Sequence, residues 1–108
     1  MKIWIDDIRP APHGFYHMYS VNQAKEFIKM VEFCDNHTFN LDDDSFKIDI
    51  IDMDHDAGDF SYDGGDYIRL LDWFEETGRN YPIKIHSMNP VGIENMKRII
   101  QKNNWKTE

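Results

Sequence analysis

Lys47-Ile48-Asp49-Ile50-Ile51-Asp52-Met53-Asp54-His55-Asp56-Ala57-Gly58 changes character half-way along. β-Branched and apolar residues dominate through Met53, which predicts a strand, and the carboxylates, imidazole and closing glycine beyond it predict a loop. A strand that ends so abruptly delivers Asp54, His55 and Asp56 to its C-terminal edge. In an open parallel α/β sheet that edge is where ligands bind. Two other apolar runs end in the same way, Ile3-Trp4-Ile5 in Asp6-Asp7 and Ile83-Lys84-Ile85 in His86-Ser87. Three separate strands are therefore expected to bring polar groups to one edge.

Working outward, residues 2 to 5 read as a short strand broken by Asp6-Asp7-Ile8-Arg9-Pro10, where the proline forces Arg9 into an extended conformation. Pro10 to Gly14 reads as a turn-rich loop, and Phe15-Tyr16-His17-Met18-Tyr19 as an edge strand of aromatic character. Ser20 is placed to cap a first helix, with Gln23 completing a capping box and Val21, Ala24, Phe27, Ile28 and Val31 at helical spacing. Asp35 to Ser45 has no clean period, and its Asp42-Asp43-Asp44 run reads as a solvated loop. After the central strand, Tyr67, Leu70, Leu71 and Phe74 form one face of a helix that Gly78 closes. Asn89-Pro90 has the form of a cap followed by proline at the first position of a last helix, with Met96, Ile99 and Ile100 inward. Strand, strand, helix, strand, helix, strand, helix with right-handed crossovers predicts a parallel α/β sheet in the order 2-1-3-4, with helices on both faces.

At 108 residues the chain suits a single domain spanning 1-108, with 41% hydrophobic and 14% aromatic residues to fill one core. Twenty acidic against twelve basic residues give a net charge of -8, which disfavours a protein that tracks duplex nucleic acid. The one cysteine, Cys34, permits no intrachain disulfide and suits a reducing compartment. The apolar run before Asp6 is far shorter than a signal-peptide core, and no run reaches membrane-spanning length, so a cytoplasmic location without membrane contact is expected.

If the first and third strands are neighbours, Asp6, Asp7 and Asp54 meet. Carboxylates so gathered repel one another until a cation neutralises them, and oxygen-only ligands suit Mg2+ or Mn2+ better than zinc. A phosphorylated small molecule or nucleotide then becomes the natural partner, approaching through the metal. His86, ending a buried strand, is either a general acid or base or a satisfied core histidine, and His55 is either a second proton-transfer group or a loop histidine bonded to a neighbouring carboxylate. Arg9 either orients a phosphate or pairs with Asp6 or Asp56. Ser87 is a phosphate donor or a turn residue. Asn89 is a ligand-binding residue or a helix cap, on a helix whose amides would face an anion. His13, His17 and His37 fall outside these motifs.

Three motifs in order, Asp6-Asp7-x-Arg9-Pro10-x-Pro12, Asp54-His55-Asp56-x-Gly58 and His86-Ser87-x-Asn89-Pro90-x-Gly92 with Met96, resemble the cyclic-phosphate-processing receiver-like domain family, a derivative of response-regulator receivers. The resemblance covers nearly the whole chain. It implies a small receiver-like, flavodoxin-like fold in which Asp6 and Asp7 match the metal-binding acidic pair, Asp54 the phosphoacceptor position and Ser87 the hydroxyl after the following strand. One departure bears on function: no final strand with Lys-Pro follows the last helix, so the lysine that contacts the phosphoryl group in receivers has no counterpart. The expected activity is metal-dependent hydrolysis or opening of a cyclic phosphate on a nucleotide or RNA end, with the metal on Asp6, Asp7 and Asp54 and proton transfer by His55 and His86. The alternative is a non-catalytic module that binds a nucleotide or partner protein at the same edge. Asp52-Met53-Asp54 also resembles the first motif of haloacid-dehalogenase phosphatases, but the remaining chain is short and lacks their downstream lysine and acidic motif.

Overall fold

The computed structural model describes residues 1–37 and 45–107; most of the expected acidic loop, including Asp42 to Asp44, lies outside them. Four short strands, β1 (Lys2–Ile5), β2 (Phe15–Met18), β3 (Ile50–Met53) and β4 (Ile83–Ile85), alternate with α1 (Val21–Asn36), α2 (Ile68–Thr77) and α3 (Pro90–Asn103). The strands form one sheet in the order β2-β1-β3-β4, every pair parallel. Class, direction and order are those expected from the sequence.

The layering differs in one respect. Ile3, Ile5, Met18, Ile51, Met53 and Ile83 share one face of the sheet, and they enter the same core as Val21, Ala24, Ile28, Leu70, Leu71, Phe74, Met96 and Ile100. All three helices thus pack on that face, α1 against α2 and α2 against α3. The reason lies in connectivity: β2 to β3 to β4 steps in one direction, so right-handed crossovers put each helix on the same side. The link from β1 to β2, which runs the other way, holds no helix. The opposite face presents Lys2, Trp4, Phe15, His17, Asp52 and Lys84, with Trp4 opposite both His17 and Asp52 in register. The expectation of helices on both faces is corrected to a two-layer arrangement among the described residues.

Local signals explain the ends of the elements. Ser20 Oγ accepts from the Gln23 amide at 3.1 Å, while Gln23 Oε1 accepts from the amide of Tyr19 at 2.7 Å, one residue outside the expected capping box. Tyr67, expected within the second helix, is its N-cap. Gly78 ends α2 in the left-handed region. Asn89 Oδ1 accepts from the Gly92 amide at 3.0 Å, capping α3, which starts at Pro90. The central strand begins at Ile50 rather than Lys47, because β1 begins at Lys2, opposite Ile50. Lys47 and Asp49 instead bond Met1, whose ammonium reaches Lys47 O at 2.5 Å and Asp49 Oδ2 at 2.8 Å.

Candidate active site at the carboxyl edge of the sheet

Parallel register aligns the ends of β1 and β3, Ile5 opposite Met53, so the residues that follow each strand emerge side by side. Asp6, Asp7 and Asp54 each offer a carboxylate oxygen within 4.8 Å of the others. Asp6 is buried, at 1% exposure. Its Oδ1 accepts from the Ile8 and Arg9 amides, both at 2.8 Å, and its Oδ2 faces His86 Nε2 at 2.8 Å. Burial alone would push the Asp6 carboxyl up, but those two amides and the imidazole outweigh it and hold it below the usual value. Asp7 is displaced the other way, by burial and then by the charges of Asp6 and Asp54. Asp54 Oδ1 accepts from the His55 amide at 2.7 Å.

Gly58 explains how Asp7 fits. It has φ +54°, and a Cβ there would collide with Oδ2 of Asp7, so the closing glycine of the central motif admits both the turn and the carboxylate. Gly92 does the same for His55: a Cβ on it would collide with the imidazole, and the first turn of α3 therefore closes directly over that ring.

The second half of the site is an imidazole held between two carboxylates. His86, the residue after β4, places Nδ1 2.6 Å from Asp52 Oδ1 and Nε2 2.8 Å from Asp6 Oδ2. Trp4 stacks on the ring, centroids 3.8 Å apart and planes 8° from parallel. Asp52 is buried in the middle of β3 on the face away from the helices. An unpaired carboxylate there would cost several kcal/mol, and His86 supplies its partner. Both ring nitrogens donate only when the ring carries two protons.

His55 is arranged differently. Nδ1 lies 3.0 Å from Asp56 Oδ1, whereas Nε2 makes no hydrogen bond among the described residues and, since no buried side-chain nitrogen or oxygen is left unpaired, it reaches solvent. His55, Asp56 and Asp66 also bring ligand atoms within 4.8 Å of one another; Asp66 Oδ1 accepts from the Ala57 amide at 3.0 Å. Both clusters could coordinate a metal.

Of the other candidates, Arg9 is exposed, its amide bound to Asp6 and its carbonyl to the Trp4 indole at 3.0 Å. The guanidinium makes no ion pair with Asp6 or Asp56. Ser87 Oγ accepts from the Asn89 amide at 3.1 Å. Asn89 both caps α3 and donates from Nδ2 to Asp56 at 3.3 Å. Sequence reasoning missed Asp52, Trp4 and Asp66, and also His17, whose Nε2 lies 2.8 Å from the Asp6 carbonyl. The signal for Asp52 was present: a carboxylate inside an apolar strand requires a buried partner.

A parallel 2-1-3-4 sheet with carboxylates gathered at the carboxyl ends of β1 and β3 defines a receiver-like α/β fold. Within that class the match is to the model of the cyclic-phosphate processing receiver domain, over residues 1–102. The chain belongs to that family. No curated protein and no solved structure matches it. Among the described residues no helix is long and apolar enough to cross a membrane.

The acidic cluster makes a prediction of its own. Because the Asp7 carboxyl lies above its usual value, the folded chain holds that proton more tightly than the unfolded one, so ionising it costs stability as the pH rises above the unfolded value. Asp7→Asn should stabilise the metal-free protein at neutral pH by about 1 kcal/mol, the low end for like charges some 4 Å apart, and weaken its binding of divalent cations. Denaturant titration at pH 7 and pH 4 checks it: the gain should shrink at the lower pH, and a loss of stability at pH 7 would contradict the repulsion.

Proposed function

We propose that the chain is a metal-dependent phosphoesterase that opens a cyclic phosphate on a nucleotide or RNA end by adding water. The observation that carries this reading is the placement of three carboxylate oxygens within 4.8 Å of one another, on a chain of the cyclic-phosphate processing family. Asp6, Asp7 and Asp54 form an all-oxygen donor set that fits a hard divalent cation, Mg2+ or Mn2+, and would hold it. Such a cation, when bound, supplies positive charge to the phosphate oxygens.

The chain's own residues divide the remaining work. His55, with Nδ1 turned to Asp56, offers Nε2 as the base that takes a proton from water. The water oxygen forms a bond to phosphorus, one ring P–O bond breaks, and the released oxygen needs a proton. In-line displacement puts that oxygen opposite the entering water, so a second proton source must serve it. Solvent supplies that proton, because His86 has both ring nitrogens turned to buried carboxylates, Nδ1 to Asp52 and Nε2 to Asp6, and positions the Asp6 carboxylate instead. Arg9 and Ser87 orient phosphate oxygens, and Asn89 holds Asp56 against His55.

The test is a panel of 2′,3′- and 3′,5′-cyclic nucleotides with Mg2+ or Mn2+, followed by phosphorus NMR. The expected product is a phosphomonoester, lost when metal is chelated. Binding without turnover across the panel would replace the enzyme with a binding module.

A further inference from the structure

A second feature lies at the same edge of the sheet. Between the end of β2 and the loop after β3 is a cavity of about 390 Å³ lined by Tyr19, Ser20, Gln23, Phe60, Tyr62 and Asp63. Its volume is in the range of small-molecule sites, roughly 300 to 1,000 Å³. Its place relative to the carboxylates is fixed by the backbone. The Asp6 amide donates to the Met18 carbonyl at 3.2 Å, so Tyr19 leaves β2 next to where Asp6 leaves β1. Phe60 ends the short 3₁₀ turn Gly58–Phe60, and that turn begins at the glycine on which Asp7 packs. Both walls of the cavity are therefore tied to the acidic cluster.

The lining has the chemistry of a platform for a flat ring. Tyr19 and Phe60 meet at 5.5 Å between centroids with their planes tilted by 41°, and Tyr19 is backed by His17, stacked on it at 4.0 Å, which leaves Phe60 and Tyr62 as the rings open to a base. Tyr62 is 83% exposed and Tyr19 41% exposed, so aromatic surface stands in water near the three carboxylates that would hold a cation. Several polar groups of the wall are already engaged. Ser20 Oγ donates to Asp63 Oδ2 at 2.6 Å, and Asn22 Nδ2 to Asp63 Oδ1 at 3.1 Å. Gln23 uses its carbonyl oxygen on the Tyr19 amide, and its NH2 has no partner among the described residues. It is a donor that a ring nitrogen or carbonyl of a base would satisfy. The larger cavity, about 720 Å³, is lined by β4 and the C-terminal half of α3, including Ile100, Gln101 and Asn104, toward the other edge of the sheet.

We propose that the Tyr19–Phe60–Tyr62 cavity is a nucleobase site, so that the substrate is a nucleoside cyclic phosphate rather than a cyclic phosphate of a polyol or bare sugar. This rests on the phosphoester reading above for the placement of the phosphate. Stacking on aromatic side chains tolerates any base, and the site accordingly selects for the presence of a base more than for its identity.

The experiment compares adenosine 2′,3′-cyclic phosphate with ribose 2,3-cyclic phosphate, which lacks the base, by calorimetry and by turnover in Mg2+. The base should add about tenfold to a hundredfold in affinity, the range of one stacked base. Tyr62→Ala, on an exposed side chain, should reduce that preference toward unity, and Phe60→Ala provides a second variant, both checked for retained folding by circular dichroism. Equal affinity for the two compounds in the wild type, or a full preference in both variants, would overturn the base site. If the base-free compound is opened as fast as the nucleotide, the hydrolytic reading stands and the base site falls. If the nucleotide binds with the expected preference and is never opened, the base site stands and the hydrolytic reading falls.

Discussion

His86→Ala is expected to lower folding stability by about 3 kcal/mol, the scale for removing one partner of a buried ion pair. The ring is bonded at 2.6 and 2.8 Å to Asp52 and Asp6, which are 6% and 1% exposed, and it lies flat on Trp4. Its removal leaves two buried carboxylates facing a gap and uncovers one face of the indole. For a chain of this size the loss corresponds to a fall in Tm of roughly 10 to 20 °C. Asp52→Asn in the same background should then add less than its own separate cost, because the two residues share one interaction. The pH dependence has a definite sign. The Asp6 carboxyl lies below its usual value, so its contribution to stability is complete above the unfolded value and is lost as the pH falls through the lower, folded one. Without the imidazole, one of the groups that lowers it is gone, and the acid limb of the stability curve should flatten. Urea denaturation between pH 3 and pH 8 measures both effects, and a cost well below 1 kcal/mol would mean that water already serves these carboxylates.

That result also separates what the sequence could and could not convey. Strand order followed from local patterns: three apolar runs, each ended by carboxylates or an imidazole, and crossovers of fixed hand. The convergence of Asp6, Asp7 and Asp54 followed from the same order, since β1 and β3 are neighbours. One-sided packing was legible too, but from a different signal. Pro10 to Gly14 leaves no helix between β1 and β2, and Lys2, Trp4, His17 and Lys84 alternate with apolar positions as a row on an uncovered face would. The clamp on His86 was not legible. Its two carboxylates lie 34 and 80 residues away in sequence, and nothing local distinguishes a bridging histidine from a free one. The same holds for Gly58 and Gly92, whose close contacts with Asp7 and His55 exist only once the loops have met.

His55→Ala is expected to lower turnover of a cyclic nucleotide by roughly 10² to 10⁴-fold, the typical cost of losing one general base, while leaving substrate affinity within a few fold. His55 is the histidine whose protons can leave the site. Nδ1 faces Asp56 Oδ1 at 3.0 Å, and with the Nδ1 proton so placed the lone pair sits on Nε2, the nitrogen that reaches solvent. Asp56 is in turn held by Asn89 Nδ2 at 3.3 Å, and the ring is confined by Gly92 at the start of α3. Asp56→Asn tests the tautomer separately. An amide can present its NH2 to Nδ1 and drive the proton to Nε2, so that variant should lose much of the rate with little change in fold, as a base in the wrong tautomer does. His55→Gln should not restore activity, because a glutamine can fill the space but cannot take up a proton. Steady-state rates with saturating Mg2+ decide the matter, with the Tm of each variant measured alongside. If His55→Ala keeps more than a tenth of the wild-type kcat, the proton must leave the water by another route, and Asp66, the remaining member of that cluster, becomes the residue to replace next.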